Sequence, residues 1–278
     1  LNGTKGAVYE GKLPMLDASE ENELLSSFLK ICDGIKKLGI RTNADTPEDA
    51  QKAKQLGAEG IGLFRTEHMF YGKNSDEPLF ILRKMIVSKD LAERKKALDE
   101  LFPHVKKSIK GTLAAMDNLP VVIRLLDPPL HEFVPQGQEK RAELAKELNI
   151  SLEELAKRAD AIHETNPMMG HRGVRLGITY PEVSEMQIRA IFEAAAELMK
   201  EGKKPYPEIM IPVVCDVKEV KHQLDMAREV YKQVLAKSGA LPRPTFIVNT
   251  NLACDSIVKF SEILGTLYGC PTHSLDFA

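Results

Sequence analysis

The sequence predicts an α/β protein, an incomplete (β/α) barrel with five or six β/α units. Three observations predict it. Short apolar runs bounded by turn residues alternate with helix-period stretches from residue 40 to residue 237, and such alternation implies parallel strands joined by right-handed crossovers. Arginines recur at or near the ends of those runs, as they would if the ends converged on one face of a barrel. No nucleotide fingerprint opens the first unit, because Gly57, Gly60 and Gly62 lie before and inside a strand rather than between strand and helix. An open parallel sheet is the alternative architecture.

The elements follow in order. Residues 1–20, with Gly3, Gly6, Gly11 and Pro14, read as a linker. Residues 20–37 carry Leu24, Leu25, Phe28, Ile31 and Ile35 at helical spacing. Ile40–Ala44 reads as a strand. Thr46-Pro47-Glu48-Asp49 reads as a helix start, with Thr46 as cap, proline in the first turn and acids near the positive end of the dipole. That helix stops at Gly57, and Gly60–Phe64 forms the second strand. Residues 76–117 are helical throughout, and Val121–Leu126 is a third strand ended by Asp127-Pro128-Pro129. Ser151-Leu152-Glu153-Glu154 has the spacing of a capping box. Gly173–Ile178 reads as a fourth strand, 181–201 as a helix, Glu208–Val214 as a fifth strand and 216–237 as a helix. Thr245–Asn249 is the candidate for a sixth.

Composition narrows the function classes. The 278 residues suit one large domain or two ordinary ones. A net charge of −2 gives no footprint for nucleic acid or an acidic membrane. Cys32, Cys215, Cys254 and Cys270 form no CxxC pair, so free thiols in a reducing cytoplasm are expected rather than disulfides or zinc. No run reaches membrane-spanning length and no signal peptide opens the chain, which begins at Leu1.

The chemistry gathers at the strand ends. Arg65 follows the second strand in GAEGIGLFRTEHMF, Arg124 lies in the third just ahead of Asp127, and Arg172 and Arg175 bracket the start of the fourth run. Each alone could be a structural ion pair. Converging on one barrel mouth, they suggest an anion site, since guanidinium suits phosphate or carboxylate. A cation and an anion about 4 Å apart attract by roughly 4 kcal/mol at an effective dielectric near 20. Several arginines would repel one another without such an anion, and a phosphorylated substrate would supply it. Asp127 would orient one guanidinium. His68 and His171 could be acid, base or phosphate contacts, against the plainer reading of packed, hydrogen-bonded residues.

At these residues a resemblance is plain. GAEGIGLFRTEHMF resembles the signature of the phosphoenolpyruvate-utilising enzymes. RLLDPPLHEFVP, NPMMGHRGVRLGITYPE and EIMIPVV followed by VKEVKHQ are similar to the pyruvate, phosphate dikinase branch of that family. The resemblance implies a barrel that binds phosphoenolpyruvate or pyruvate. It implies Mg2+ as cofactor, a homodimer, and separate phosphohistidine and ATP-binding domains as partners. It places Arg65 and Arg124 on the transferring phosphoryl group and the enolate oxygen, with Asp127 beside them and Arg172 as a further phosphate or carboxylate contact. The reaction implied is ATP, phosphate and pyruvate to AMP, pyrophosphate and phosphoenolpyruvate. Phosphoenolpyruvate synthase-type chemistry and a non-catalytic anion-binding fragment are the alternatives.

The sequence departs from the family pattern in places. It holds no Thr-x-x-His phosphohistidine loop and no ATP-binding domain. In 238–278 the family's metal-binding glutamate, Asn-Asp pair and cysteine motif have no counterpart, so the Mg2+ ligands are unassigned and Cys270 receives no role. The organisation expected is therefore a linker over 1–20 following an absent phosphohistidine domain, a partial barrel over 21–237 and a divergent tail over 238–278. This describes a truncated product that is inactive in isolation.

Overall fold

In a computed structural model, residues 3–11, 23–72, 75–135 and 137–239 are described. The chain divides into two compact units, Leu1–Gly39 and Ile40–Ala278. The first holds helix α1 (Glu23–Ile35), whose end is extended by Lys36 N–H donating to Cys32 O at 2.9 Å.

The second unit runs β1 (Thr42–Asn43), α2 (Pro47–Gln55), β2 (Ile61–Arg65), α3 (Asp76–Ile86), α4 (Leu91–Ala115), β3 (Pro120–Arg124), α5 (Gln138–Glu147), α6 (Leu152–Ala161), α7 (Val174–Thr179), α8 (Pro181–Lys200), β4 (Tyr206–Met210) and α9 (Val217–Ser238). Short 3-10 turns follow β2 and β3, at Thr66–Phe70 and Leu130–Phe133. The four strands form one parallel sheet in the order β1-β2-β3-β4. Strands paired in chain order, each pair joined through helices, are the arrangement of consecutive units in a (β/α) barrel.

Arg41, just ahead of β1, bridges to Glu208 on β4 at 2.6 Å, reaching past the two strands that lie between them. The glycines of the second strand make room for this crossing. A Cβ on Gly60 or Gly62 would lie 3.3 Å from the Arg41 stem, and at Gly60 also 2.8 Å from the Pro120 carbonyl.

Local signals set the helix starts. The Thr46 hydroxyl accepts from Asp49 N–H at 3.1 Å, Ser151 does the same for Glu154, and Asp216 with Glu219 forms a full capping box on α9. The helical stretch expected over 76–117 is two helices. Asp90 caps α4 by accepting from Glu93 N–H at 2.9 Å, and α3 ends at Ile86. An aspartate satisfies a helix start better than a helix interior, which is why the break falls there.

One strand assignment is corrected. Gly173–Ile178 is not a strand: Val174–Thr179 is helical. Gly173 takes φ 55 and sends its N–H to Asp127 O at 3.2 Å, while Val174 N–H reaches Pro212 O at 3.0 Å. Both ties hold the segment across the sheet end rather than along a ladder. A short apolar run fits both periods, and here Val174 and Gly177 share the buried face of a turn. The strand expected over Glu208–Val214 lies at Tyr206–Met210 and ends before Pro212, which has no N–H to give a ladder. Thr245–Asn249 lies outside the described residues.

The core sits between the sheet and its helices. Leu101, Val105, Ile109 and Leu113 form a buried stripe along α4, and Ile188, Ile191, Ala195 and Leu198 another along α8. Among the described residues these two helices make the most extensive helix–helix interface, and their apolar stripes are the sequence's helical period made physical.

Candidate functional site

Arg65 and Arg124 end β2 and β3, and they are register partners on neighbouring strands. Each is held by carboxylates. The Arg65 guanidinium grips Asp45 bidentately, with Nη2–Oδ2 at 2.6 Å and Nε 3.2 Å from both oxygens, and the Arg65 N–H donates to Asp45 Oδ1 at 3.0 Å. His68 Nδ1 lies 2.9 Å from Asp45 Oδ2. Burial raises the Asp45 carboxyl, but these bonds from Arg65 and the His68 charge outweigh it and hold the group below its ordinary value. The Arg65 guanidinium is raised in turn, mainly by its hydrogen bond to Asp45.

Arg124 pairs with Glu67 through Nη2 and with Asp127 through Nη1, the latter at 3.1 Å. Asp127 Oδ2 also accepts from Arg172 Nη2 at 2.8 Å, so one carboxylate orients two guanidiniums. The local sequence explains its placement. Pro128 and Pro129 follow and lack N–H groups, so no ladder resumes past Asp127, and Gly173 N–H fastens the Asp127 carbonyl at 3.2 Å. Glu67 and Asp127 are buried, at 4% and 7% exposure. Glu67 Oε2, Asp127 Oδ1, Arg124 Nε and Arg172 Nε are buried with no hydrogen-bond partner among the described residues.

The structural ion pairs considered for single arginines are present, and Asp127 pairs with two of the guanidiniums. Three guanidiniums (Arg65, Arg124, Arg172) face three carboxylates (Asp45, Glu67, Asp127), so each arginine charge is answered from within the protein. Asp45 and Glu67 were missed in the sequence. The available signals were an acid at the end of the first strand, just ahead of the Thr46 cap, and an acid two residues after Arg65.

Arg175 stands apart, donating to Gly170 O at 3.0 Å and lying 3.9 Å from Cys215 Sγ. His171 is a packed residue: its Nε2 bonds Thr179 Oγ1, its N–H donates to Glu164 Oε1 at 2.7 Å, and its ring meets Tyr180 edge-on. It lines a cleft of about 230 Å3 with Leu130, His163 and Glu164. Beside it, Gly173 packs against Val213, which is itself at φ 59; a Cβ on Gly173 would lie 2.8 Å from Pro212 O. A β-branched residue at positive φ is unusual and marks strain at this strand end.

No group of three or more His, Cys, Asp or Glu among the described residues has the arrangement to hold a metal ion. Mg2+ is commonly held by only one or two carboxylates together with substrate oxygens and water, and no step is routed through it here. No helix among them is long and apolar enough to cross a membrane.

Residues 19–258 match the family described as PEP-utilising enzyme, PEP-binding domain. The chain is 46% identical over 241 residues to pyruvate, phosphate dikinase 1, chloroplastic, of Oryza sativa subsp. japonica, covering 86% of this chain and 25% of that protein. It is 46% identical over 244 residues to the pyruvate, phosphate dikinase of Clostridium symbiosum, covering 86% and 27%. It thus spans about a quarter of the length of these curated relatives. The parallel β/α succession with arginines at the carboxyl ends of its strands is accordingly part of a barrel of known kind, and the chain belongs to the PEP-utilising enzyme family, in its PEP-binding domain.

Proposed function

We propose that this chain binds phosphoenolpyruvate and pyruvate through Arg65, Arg124 and Arg172, with Asp127 orienting the latter two. It would serve as the substrate half of a pyruvate, phosphate dikinase. The observation that carries this is the adjacency of Arg65 and Arg124 at paired strand ends. Phosphoryl transfer asks a protein mainly for positioning and charge neutralisation, and pyruvate must react as its enolate. One guanidinium would hold the phosphoryl oxygens while its neighbour stabilises the enolate oxygen. Because each arginine already has a protein carboxylate, an arriving anion exchanges partners with Glu67 or Asp127 instead of meeting bare cations.

In the parent enzyme, 1–20 would be linker, 21–237 barrel and 238–278 a divergent tail. Mg2+ would neutralise the transferring phosphoryl group, on ligands this reading does not place. The phosphohistidine and nucleotide sites would come from other domains, and two barrels would pair as a homodimer. The compartment would be the cytoplasm or a plastid; free Cys32 and Cys215 suit either reducing environment. The isolated chain is expected to bind ligand without turnover.

Titration calorimetry of the full chain with phosphoenolpyruvate tests this. Binding is expected, weakened by roughly tenfold or more in Arg124→Ala, as for loss of a charged hydrogen-bond partner. A wild-type chain giving no binding heat overturns the proposal. A second reading is an anion-binding module without catalysis, in which the arginines hold an anion and no group of the chain reacts. Magnesium-dependent formation of phosphoenolpyruvate from ATP, phosphate and pyruvate by this chain alone would refute it.

A further inference from the structure

We propose that Gln187 is a positioning residue of the anion site: its buried amide clamps the carboxyl ends of β2 and β3 and so sets the spacing of Arg65 and Arg124. This rests on the reading that those arginines bind phosphoenolpyruvate. The β2–β3 ladder has Arg65↔Arg124 as its last pair. Beyond it the chains part, with Thr66 entering a 3-10 turn and Leu125 tied to Met210 O on the other side at 3.0 Å. Gln187, on α8, spans the gap. Its Oε1 accepts from Leu126 N–H at 2.9 Å and its Nε2 donates to Thr66 Oγ1 at 3.1 Å. The amide's orientation is forced, because a backbone N–H must face the oxygen.

Thr66 is 0% exposed and Gln187 4%, so water has no ready access to replace either bond. The anchored residues are the ones that matter. Thr66 stands between Arg65 and Glu67. Leu126 stands two residues after Arg124 and one before Asp127. One side chain on a packed helix therefore fixes both arginines and both carboxylates that bind Arg124. A displacement of about 1 Å at such a site can cost as much as a hundredfold in function.

The test uses the full chain and four variants. Gln187→Met keeps the volume and loses both bonds, Thr66→Val loses one, and the double variant joins them. Leu113→Ala, a buried residue of α4 away from the arginines, is the stability control. Gln187→Met is expected to weaken phosphoenolpyruvate binding by roughly tenfold or more, Thr66→Val by less, and the double variant no further than Gln187→Met. Leu113→Ala should lower the melting temperature and leave affinity unchanged. Without ligand, the Arg65 and Arg124 Nε–H resonances should shift in both clamp variants and not in Leu113→Ala. Wild-type affinity in Gln187→Met, a loss that Leu113→Ala reproduces, or additive costs in the double variant would overturn the proposal. Should Gln187→Met fail to fold, Thr66→Val decides it alone. A wild type that binds no phosphoenolpyruvate defeats the functional reading, while unshifted Nε–H resonances defeat the clamp whatever the ligand.

Discussion

Replacing Asp127 by alanine should cost about 3–5 kcal/mol of folding stability, the usual range for breaking a buried ion pair from one side. Its side chain is 10% exposed, and those of Arg124 and Arg172 are each 19% exposed. At contacts of 3.1 and 2.8 Å, each pair attracts by roughly 5–6 kcal/mol at an effective dielectric of about 20. Desolvation of the three groups offsets most of that gain in the native protein. The variant keeps the desolvated arginines and loses the compensation. Arg124 retains Glu67, but Arg172 loses the carboxylate it shares. Asp127→Asn keeps an acceptor oxygen without the charge and should lose less, about 1–3 kcal/mol. The assay is urea unfolding near neutral pH, comparing midpoints at equal slope. Inorganic phosphate should then stabilise Asp127→Ala more than the wild type, because an anion that binds only the folded form adds stability by mass action. A loss below about 1 kcal/mol, with no added response to phosphate, would show that Asp127 does not neutralise two buried cations.

Asp45 predicts an acid limb. Its pKa is held below the ordinary 3.8 in the folded chain, so its stabilisation is fully present above the unfolded value and lost as pH falls through the folded one. Asp45→Asn should flatten the fall in stability below about pH 4, and a carboxyl NMR titration midpoint at or above the ordinary value would refute the assignment. Gly173→Ala should destabilise by about 2–3 kcal/mol, since it forces a side chain to a backbone conformation reserved for glycine. Its Cβ would also lie 2.8 Å from Pro212 O and 3.0 Å from Val213 Cγ2. A melt should show the loss as a fall of several degrees, and an unchanged midpoint counts against the close approach. Arg124→Ala in calorimetry and the Gln187 variants in calorimetry and NMR complete the set.

The sequence determined what depends on near neighbours. Thr46 and Ser151 announce helix starts because a cap reaches only two or three residues. The runs Gly60–Phe64 and Val121–Leu126 are recognisable because parallel strands covered on both faces are largely apolar. Arg65 just after the first and Arg124 within the second could be singled out because a cation in or at the end of a buried strand needs an explanation, but only the structure ends the third strand at Arg124. The break between α3 and α4 was harder, since one capping aspartate competes with a long helical period. Gly173–Ile178 was misread because six residues do not separate a strand from a helical turn.

Tertiary structure alone decided how the charges are answered and held. Arg65 meets Asp45 across 20 residues, Arg124 meets Glu67 across 57, and Gln187 reaches Thr66 across 121. Such contacts leave no periodicity in the chain, because they depend on where separate strands and helices come to rest. The arginines were therefore visible as a need for an anion. That the protein meets this need with its own carboxylates follows only from the parallel pairing that brings those strand ends side by side.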